Sequence, residues 1–397
     1  MNPLAITGLG VVSPLGIGDD AWRASLRTPD EARRRAFGEP TVLSKEKCAG
    51  ARAAEVWGFD AAEYLGDKGL RNFDRLTKFL IVAARLALVD SGLKKDGAFV
   101  ALRPEAVGIV SSTAYGSLDA ITELNLVAEL EDPRYINPAR FPNTVVNAAA
   151  GYVSIWEELR APNVTIVDGN CGALDAVITS ETHLAHARGE CFLVGGGEVL
   201  SDPLYLGFRK LEVLAESDEA WRPGEPSSRG MRMGEGAAYV VTEQLAAARA
   251  RGARVRAQIV GYGTAFEPPE SEALIVNASE RAIASAVRSA LADGRVEAKD
   301  VDCVCASVGG IPQIDGPELA ALERVLPGVA VAAPKMLTGE TFGAGGAFGI
   351  AAALAWMDGV PPGPLLRGSS APREVRTVVV TAVGYYGNVS VVVLRRG

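Results

Sequence analysis

The strongest chemical feature of the chain is a cysteine placed where a strand breaks into a helix. In Asn163 to Arg188, NVTIVDGNCGALDAVITSETHLAHAR, the residues Val164, Ile166 and Val167 are β-branched and suit a strand. Asp168, Gly169, Asn170 and Gly172 supply turn chemistry, and Leu174, Val177, Ile178 and Leu184 then recur at helical spacing. Cys171 is therefore expected at a helix N-terminus. Unpaired backbone N–H groups and the positive end of the helix dipole favour thiolate over thiol there, which is what a cysteine nucleophile requires. The same pattern also fits a small buried hydrophobe at a tight turn, because free cysteine is commonly buried.

The other cysteines, Cys48, Cys191, Cys303 and Cys305, form no CxxC clusters, so neither a disulfide framework nor a zinc site is expected and the pattern is an intracellular one. A formal charge of −8 argues against a general nucleic-acid binder. With 397 residues, 48% hydrophobic content and 44 glycines, the chain can bury a large core with tightly packed strand-to-helix turns. The N-terminal MNPLAITGLGVVSPLG has no basic stretch ahead of its apolar residues and reads as a first β-strand. The run from Phe342 to Met357 is too short and too glycine-rich to span a bilayer. These features predict a cytoplasmic protein with no membrane or nucleic-acid partner and no cofactor.

Strands and helices alternate along the chain. A strand at Pro3–Leu9 runs into GLGVVSPLG, expected to be a loop, whose GxG lacks the third glycine of a dinucleotide site. Residues 19–52 read as a charged, solvated excursion. A helix over about Asp74–Ser91 is followed by a strand at Ala106–Ser111, a helix over 117–131 and another from about Thr144. After the cysteine segment come a strand at Cys191–Val194 ending in GGG, a polar loop over 215–230 and a strand at Ala237–Thr242. A helix at Gln244–Arg251 leads to a second run: strand Arg254–Tyr262, helix 278–293, strand Val301–Ser307, helices 316–325 and 343–357, and a hairpin of 376–383 with 388–394. This alternation predicts an α/β fold with parallel or mixed sheets covered on both faces. VTIVDGNC and VVVTAVGYYGN, both buried-type strands ending at a glycine turn, suggest an internal duplication.

Five segments carry a family likeness: ITGLGVVSPLG at 6–16, FPNTVVNAAAG at 141–151, GECFLVGGGEVL at 189–200, RGMRMGEGAAYVV at 229–241 and KMLTGETFGAGGAFG at 335–349. In that order they resemble the β-ketoacyl-acyl carrier protein synthases. The resemblance implies the thiolase-like fold, with two similar halves, 1–243 and 252–397, packed as one unit in five layers, α-β-α-β-α, and working as a dimer. It also implies that Cys171 stands where the family's cysteine accepts an acyl chain as a thioester, although Gly169, Asn170 and Gly172 depart from the usual flanking residues.

Two histidines usually complete that site. In the matching segments Ser307 takes the position of the first and Glu340 that of the second. The chain's two histidines, His183 and His186, lie beyond Cys171 on the same predicted helix, and His183, twelve residues on, would be roughly 18 Å away. An ionised Glu340 accepts hydrogen bonds and donates none, so it cannot stabilise an oxyanion. It could serve as a general base, could stay protonated in an apolar pocket, or could simply pair with a cation, Lys335 being the nearest.

By the same resemblance Lys335 and Glu318 support the site, and Tyr385 or Tyr386 in AVGYYGN replaces a gating phenylalanine. Lys68, Arg71, Arg209 and Lys210 match basic positions that would dock an acidic acyl carrier protein. The function so implied is an atypical β-ketoacyl synthase-like acyltransferase of fatty-acid or polyketide-type biosynthesis. It would be acylated on Cys171 from a carrier-protein or coenzyme A thioester, with Glu340 and Ser307 assisting, as a homodimer or as a heterodimer with a homologous ketosynthase. Two alternatives remain: a silent partner resembling the chain-length-factor subunits, and a hydrolase-like release activity with Glu340 as base for water.

Overall fold

A computed structural model describes residues 1–271, 276–368 and 370–397. The first run of elements is β1 (Leu4–Ser13), α1 (Arg75–Asp90), β2 (Val107–Ser112), α2 (Ala148–Glu157), β3 (Asn163–Ile166), α3 (Gly172–Ala185), β4 (Cys191–Glu198) and β5 (Gly236–Gln244). The second is β6 (Ala257–Phe266), α4 (Glu280–Asp293), β7 (Cys303–Cys305), α5 (Pro312–Val325), β8 (Ala330–Ala332), α6 (Gly345–Met357), β9 (Leu365–Arg367), β10 (Thr377–Val383) and β11 (Asn388–Arg396).

The strands join in the order β9-β8-β7-β10-β11-β6-β1-β5-β4-β2-β3, and the short Gly16–Ile17 strand pairs with β1 off this path. Within each run the order is the same. With the edge strand β9, which pairs antiparallel with β8, set aside, the second strand pairs in parallel with the third and with the fourth, the fourth antiparallel with the fifth, and the fifth antiparallel with the first. The two first strands, β1 and β6, meet antiparallel through Leu4↔Ile259, Ala5↔Gln258 and Ile6↔Ala257. This repeated order is a duplication, but the two glycine-turn segments that suggest it are not its counterparts: VTIVDGNC is β3 and leads into α3, whereas VVVTAVGYYGN begins with β10, which corresponds to β4.

The paired GxG segments show why the sequence repeats. β1 shifts register between Ile6 and Gly8 against β5, and β6 shifts between Ile259 and Gly261 against β11. A Cβ on Gly10 would lie 1.9 Å from the Ala83 carbonyl oxygen of α1, and one on Gly263 would lie 2.2 Å from the Ala286 carbonyl oxygen of α4. Each GxG therefore lets a helix backbone rest directly on a bulged strand. For the same reason the expected loop after Leu9 is strand as far as Ser13, and β4 passes through its three glycines to Glu198. Both helices are capped from the sequence, α1 by Asp74, whose carboxylate accepts from Thr77 N, and α4 by Ser279, which accepts from Ala282 N.

Buried side chains form three layers of core. One lies between α1 and the outer face of the first sheet half, with Phe79, Leu80 and Ala83 against Val107, Leu193 and Tyr239. A second lies between α4, α5 and the outer face of the other half, with Val287 and Leu322 against Val304, Val379 and Val391. The third is central: α3 and α6 fill the space between the inner faces, Leu174 and Val177 with Ile350 and Leu354 among Val194, Val240, Cys305, Val380 and Val392. Because α6 is enclosed on all sides, every residue from Gly346 to Met357 is buried, which explains its uninterrupted apolar sequence. These layers give the α-β-α-β-α order of the thiolase-like fold. Among the described residues no helix is long and apolar enough to cross a membrane.

Candidate active site

Cys171 caps α3 and is fully buried. Its Sγ lies 3.4 Å from the Ala382 carbonyl oxygen and 3.6 Å from that of Asn388, both supplied by the β10–β11 hairpin. The sequence leaves open a thiol eased toward thiolate by the helix N-terminus and a small buried hydrophobe at a tight turn, and the burial of Cys171 fits the second. Burial pushes the thiol well above its ordinary range, and the carboxylates of Asp175 and Asp168 push it further. A helix terminus stabilises a charge by at most about 2 kcal/mol, which does not offset complete desolvation together with two nearby carboxylates.

Those carboxylates are features that sequence reasoning missed. Asp175, one turn into α3, accepts from Tyr262 Oη at 2.7 Å and from the Ser390 hydroxyl. Asp168 accepts from Asn388 Nδ2 at 2.8 Å. Burial, then its contact with Asp168, raises Asp175 to about 6. Their spacing around Cys171, three before and four after, places both beside it only once the turn and first helical turn are formed, and a lone aspartate in a turn is otherwise an ordinary solvated residue.

Ser307, Lys335 and Glu340 do come together. Lys335 Nζ donates to Ser307 Oγ at 3.0 Å and to Glu340 Oε2 at 2.8 Å, and Asn170 Nδ2 also reaches Oε2, at 3.3 Å. The other Glu340 oxygen accepts from Phe342 N at 2.8 Å. Of the three roles open to Glu340 in the sequence, pairing with Lys335 is the one its contacts display. Ser307 Oγ also accepts from Val383 N at 3.4 Å. Behind them Glu318, fully buried on α5, accepts from Ser307 N at 2.8 Å and from the Thr381 hydroxyl through one oxygen. Its second oxygen has no partner among the described residues, and burial raises the carboxyl to about 7. A protonated acid suits that orphaned oxygen better than a carboxylate.

Beside this network a cavity of about 370 Å³ opens, lined by Tyr115, Asp168, Asn170, Phe266, Phe342 and Tyr385 among others. Cys171 is not in its lining; Asn170, its neighbour, is. Of the two candidate gating tyrosines, Tyr385 turns inward, its hydroxyl 3.1 Å from the Met231 sulfur, while Tyr386 is 59% exposed. Tyr385 and Tyr115 stand edge-on to Phe342, which stacks on Phe208 at 5.0 Å. Phe342 takes a left-handed backbone (φ 42°), a strained conformation for a bulky residue, held by this aromatic packing and by the Glu340 carboxylate on its N–H.

The remaining candidates lie elsewhere. Lys68, Arg71, Arg209 and Lys210 are exposed, with Arg209 donating to the Lys47 carbonyl at 3.1 Å. His183 stacks on Phe192, and His186 contacts the Thr182 carbonyl of its own helix.

A duplicated five-layer fold with a cysteine at the start of one central helix and a glycine-rich hairpin against it defines a thiolase-like condensing-enzyme scaffold. Comparison with known proteins narrows this class. Residues 1–248 match the family model of the β-ketoacyl synthase N-terminal domain, and residues 256–362 match that of the C-terminal domain. The chain belongs to the β-ketoacyl synthase family. It is similar to the putative polyketide beta-ketoacyl synthase 2 of Streptomyces coelicolor, 33% identical with 99% of this chain and 94% of that protein covered. It is also similar to the 3-oxoacyl-[acyl-carrier-protein] synthase 2 of Coxiella burnetii, 32% identical over 87% of this chain and 83% of the relative. Among solved structures, the ishigamide ketosynthase/chain length factor superposes with a TM-score of 0.87 at 25% identity, covering 100% of this chain and 99% of that one.

Proposed function

We propose that the chain is a ketosynthase-fold subunit of fatty-acid or polyketide-type biosynthesis that serves as the partner of a complete ketosynthase and does not itself perform decarboxylative condensation. The observation that carries this reading is the closed contact of Lys335 with Ser307 and Glu340, at the two positions where the family resemblance puts histidines. Condensation needs hydrogen-bond donors aimed at a developing oxyanion. Glu340 is an acceptor, and the Lys335 charge is already neutralised by it. The thiol, enclosed and beside two carboxylates, is held in its protonated form.

In this reading the halves 1–243 and 252–397 act as one unit, and Lys68, Arg71, Arg209 and Lys210 offer cations to an acidic carrier protein. A partner subunit has a surface to meet. Leu130, Tyr135, Phe141 and Ile155 are 64–76% exposed on neighbouring elements beside the unpaired edge of β3. The likeness to the ishigamide ketosynthase/chain length factor supports a two-chain assembly of this kind.

A second reading has its own support in the cavity beside Asn170 and Asp168, which has room for a thioester arm. In it Cys171 carries an acyl group, and Glu340 and Ser307 assist a changed second step. Intact mass after incubation with acyl-carrier and acyl-coenzyme A donors separates the two. The partner reading expects no adduct on the wild type and expects co-purification with a histidine-containing homologue. An acyl adduct that disappears in Cys171→Ala overturns it in favour of the second.

A further inference from the structure

The open cavity beside Asn170 is walled by aromatic rings, since Tyr115, Phe266, Phe342, Tyr385 and Tyr386 all line it. Tyr115 and Tyr385 stand at right angles to Phe342, with ring centres 5.3 and 6.3 Å away, so the walls meet like the sides of a box. Phe266 and Tyr386 are 65% and 59% exposed, and Val167, which shares the lining, is 51% exposed. Three large apolar side chains left open around one cavity form a patch of the kind that marks a binding site.

One charge faces this box. Tyrosines apart, Asp168 is the one ionisable side chain among the described residues of the lining. Its Oδ1 accepts from Asn388 Nδ2 at 2.8 Å, and it also contacts a second acid, Asp175, whose other partners are the hydroxyls of Tyr262 and Ser390. Among the described residues no Lys, Arg or His forms an ion pair with either carboxyl group. The cavity therefore carries negative charge without a counter-charge of its own.

An aromatic face attracts a cation through the ring quadrupole, and the attraction grows where water is excluded. A carboxylate beside the rings adds a full opposite charge. A neutral apolar ligand satisfies the rings but leaves Asp168 unmatched, and an anionic group is repelled by it. We propose that this cavity is a binding site for an organic ammonium ion, its cationic head against Asp168 and the rings and its apolar stem toward Phe266 and Tyr386. The cavity, at about 370 Å³, falls within the range of small-molecule sites. The proposal goes beyond both readings of Cys171, because contacts alone hold the ion and no acyl transfer or subunit assembly is required.

The test is proton NMR titration of the full chain with choline and, separately, with dimethylbutanol, the neutral molecule of the same shape in which carbon replaces nitrogen. Sodium chloride keeps the ionic strength constant. Choline is expected to bind about tenfold more tightly than the alcohol, with its N-methyl resonance moved upfield by the ring faces. Asp168→Asn keeps an oxygen for Asn388 Nδ2 and removes the charge, so it should weaken choline about tenfold and leave the alcohol unchanged. Phe266→Ala and Tyr386→Ala, at exposed positions, should each weaken choline about threefold. Thermal unfolding reports whether Asp168→Asn is folded, and the two exposed positions carry the test if it is not. Equal binding of choline and the alcohol, no saturable choline binding, or choline binding that none of the three substitutions weakens overturns the proposal.

Discussion

Lys335 Nζ and Glu340 Oε2 meet at 2.8 Å with their side chains only 9% and 4% exposed. Removing one member of a buried pair leaves the other charge desolvated, which typically costs about 3–5 kcal/mol, whereas replacing both by apolar residues of similar volume is often near neutral. Glu340→Ala is therefore expected to destabilise the protein by that amount in denaturant unfolding. Lys335→Met combined with Glu340→Leu should recover most of the loss. A single substitution costing under about 1 kcal/mol would show that the pair is open to water.

The two GxG segments predict matched effects in the two halves of the fold. Gly10→Ala puts a methyl group 1.9 Å from the Ala83 carbonyl oxygen, and Gly263→Ala puts one 2.2 Å from that of Ala286. Neither backbone atom can move without shifting a whole helix, so each variant should lose about 3 kcal/mol or more, or fail to accumulate. Urea unfolding measures both, and tolerance of either one would separate the halves that the repeated strand order joins.

Much of this architecture was legible because it depends on local pattern. The alternation of strands and helices, the turn before Cys171 and the capping of α1 by Asp74 are written in residues close together in sequence. The family resemblance brought Ser307, Lys335 and Glu340 to one place. What failed were inferences about environment. The glycines after Leu9 read as a loop because glycine marks turns, yet here it serves close helix approach. Cys171 stood open between an activated and a buried thiol, because a helix start is visible in sequence, whereas its neighbours on distant strands are not. Asp175, Tyr262 and Ser390 meet across three elements, a meeting that no local pattern shows.

Glu318 and Glu198 make stability depend on pH in an unusual direction. Both are fully buried and both are raised, chiefly by burial, to about 7 from an ordinary value of 4.5. The folded protein then holds protons that the unfolded chain has released. Their stabilising contribution is complete below about pH 4.5 and is lost as pH rises through about 7, each group costing on the order of 3 kcal/mol at pH 8. Glu318→Gln keeps an oxygen to accept from Ser307 N and the Thr381 hydroxyl but cannot ionise. It should equal or exceed the wild type in stability at pH 8 and show a shallower slope between pH 5 and 8 in urea midpoints. An unchanged slope would mean that Glu318 stays ionised in the fold.

The exposed apolar residues beside β3 test the partner reading most directly. Leu130 and Ile155 are each 76% exposed, so Leu130→Glu and Ile155→Glu should change the stability of the isolated chain by less than about 0.5 kcal/mol. In an assembly that covers them, each introduces a charge into an apolar contact, and the pair should weaken association by about a hundredfold or more. Light scattering after size exclusion, on the chain alone and mixed with a histidine-containing homologue, reports the species present. If the double variant assembles as the wild type does in both samples, the apolar face is not the meeting surface and the partner must bind elsewhere.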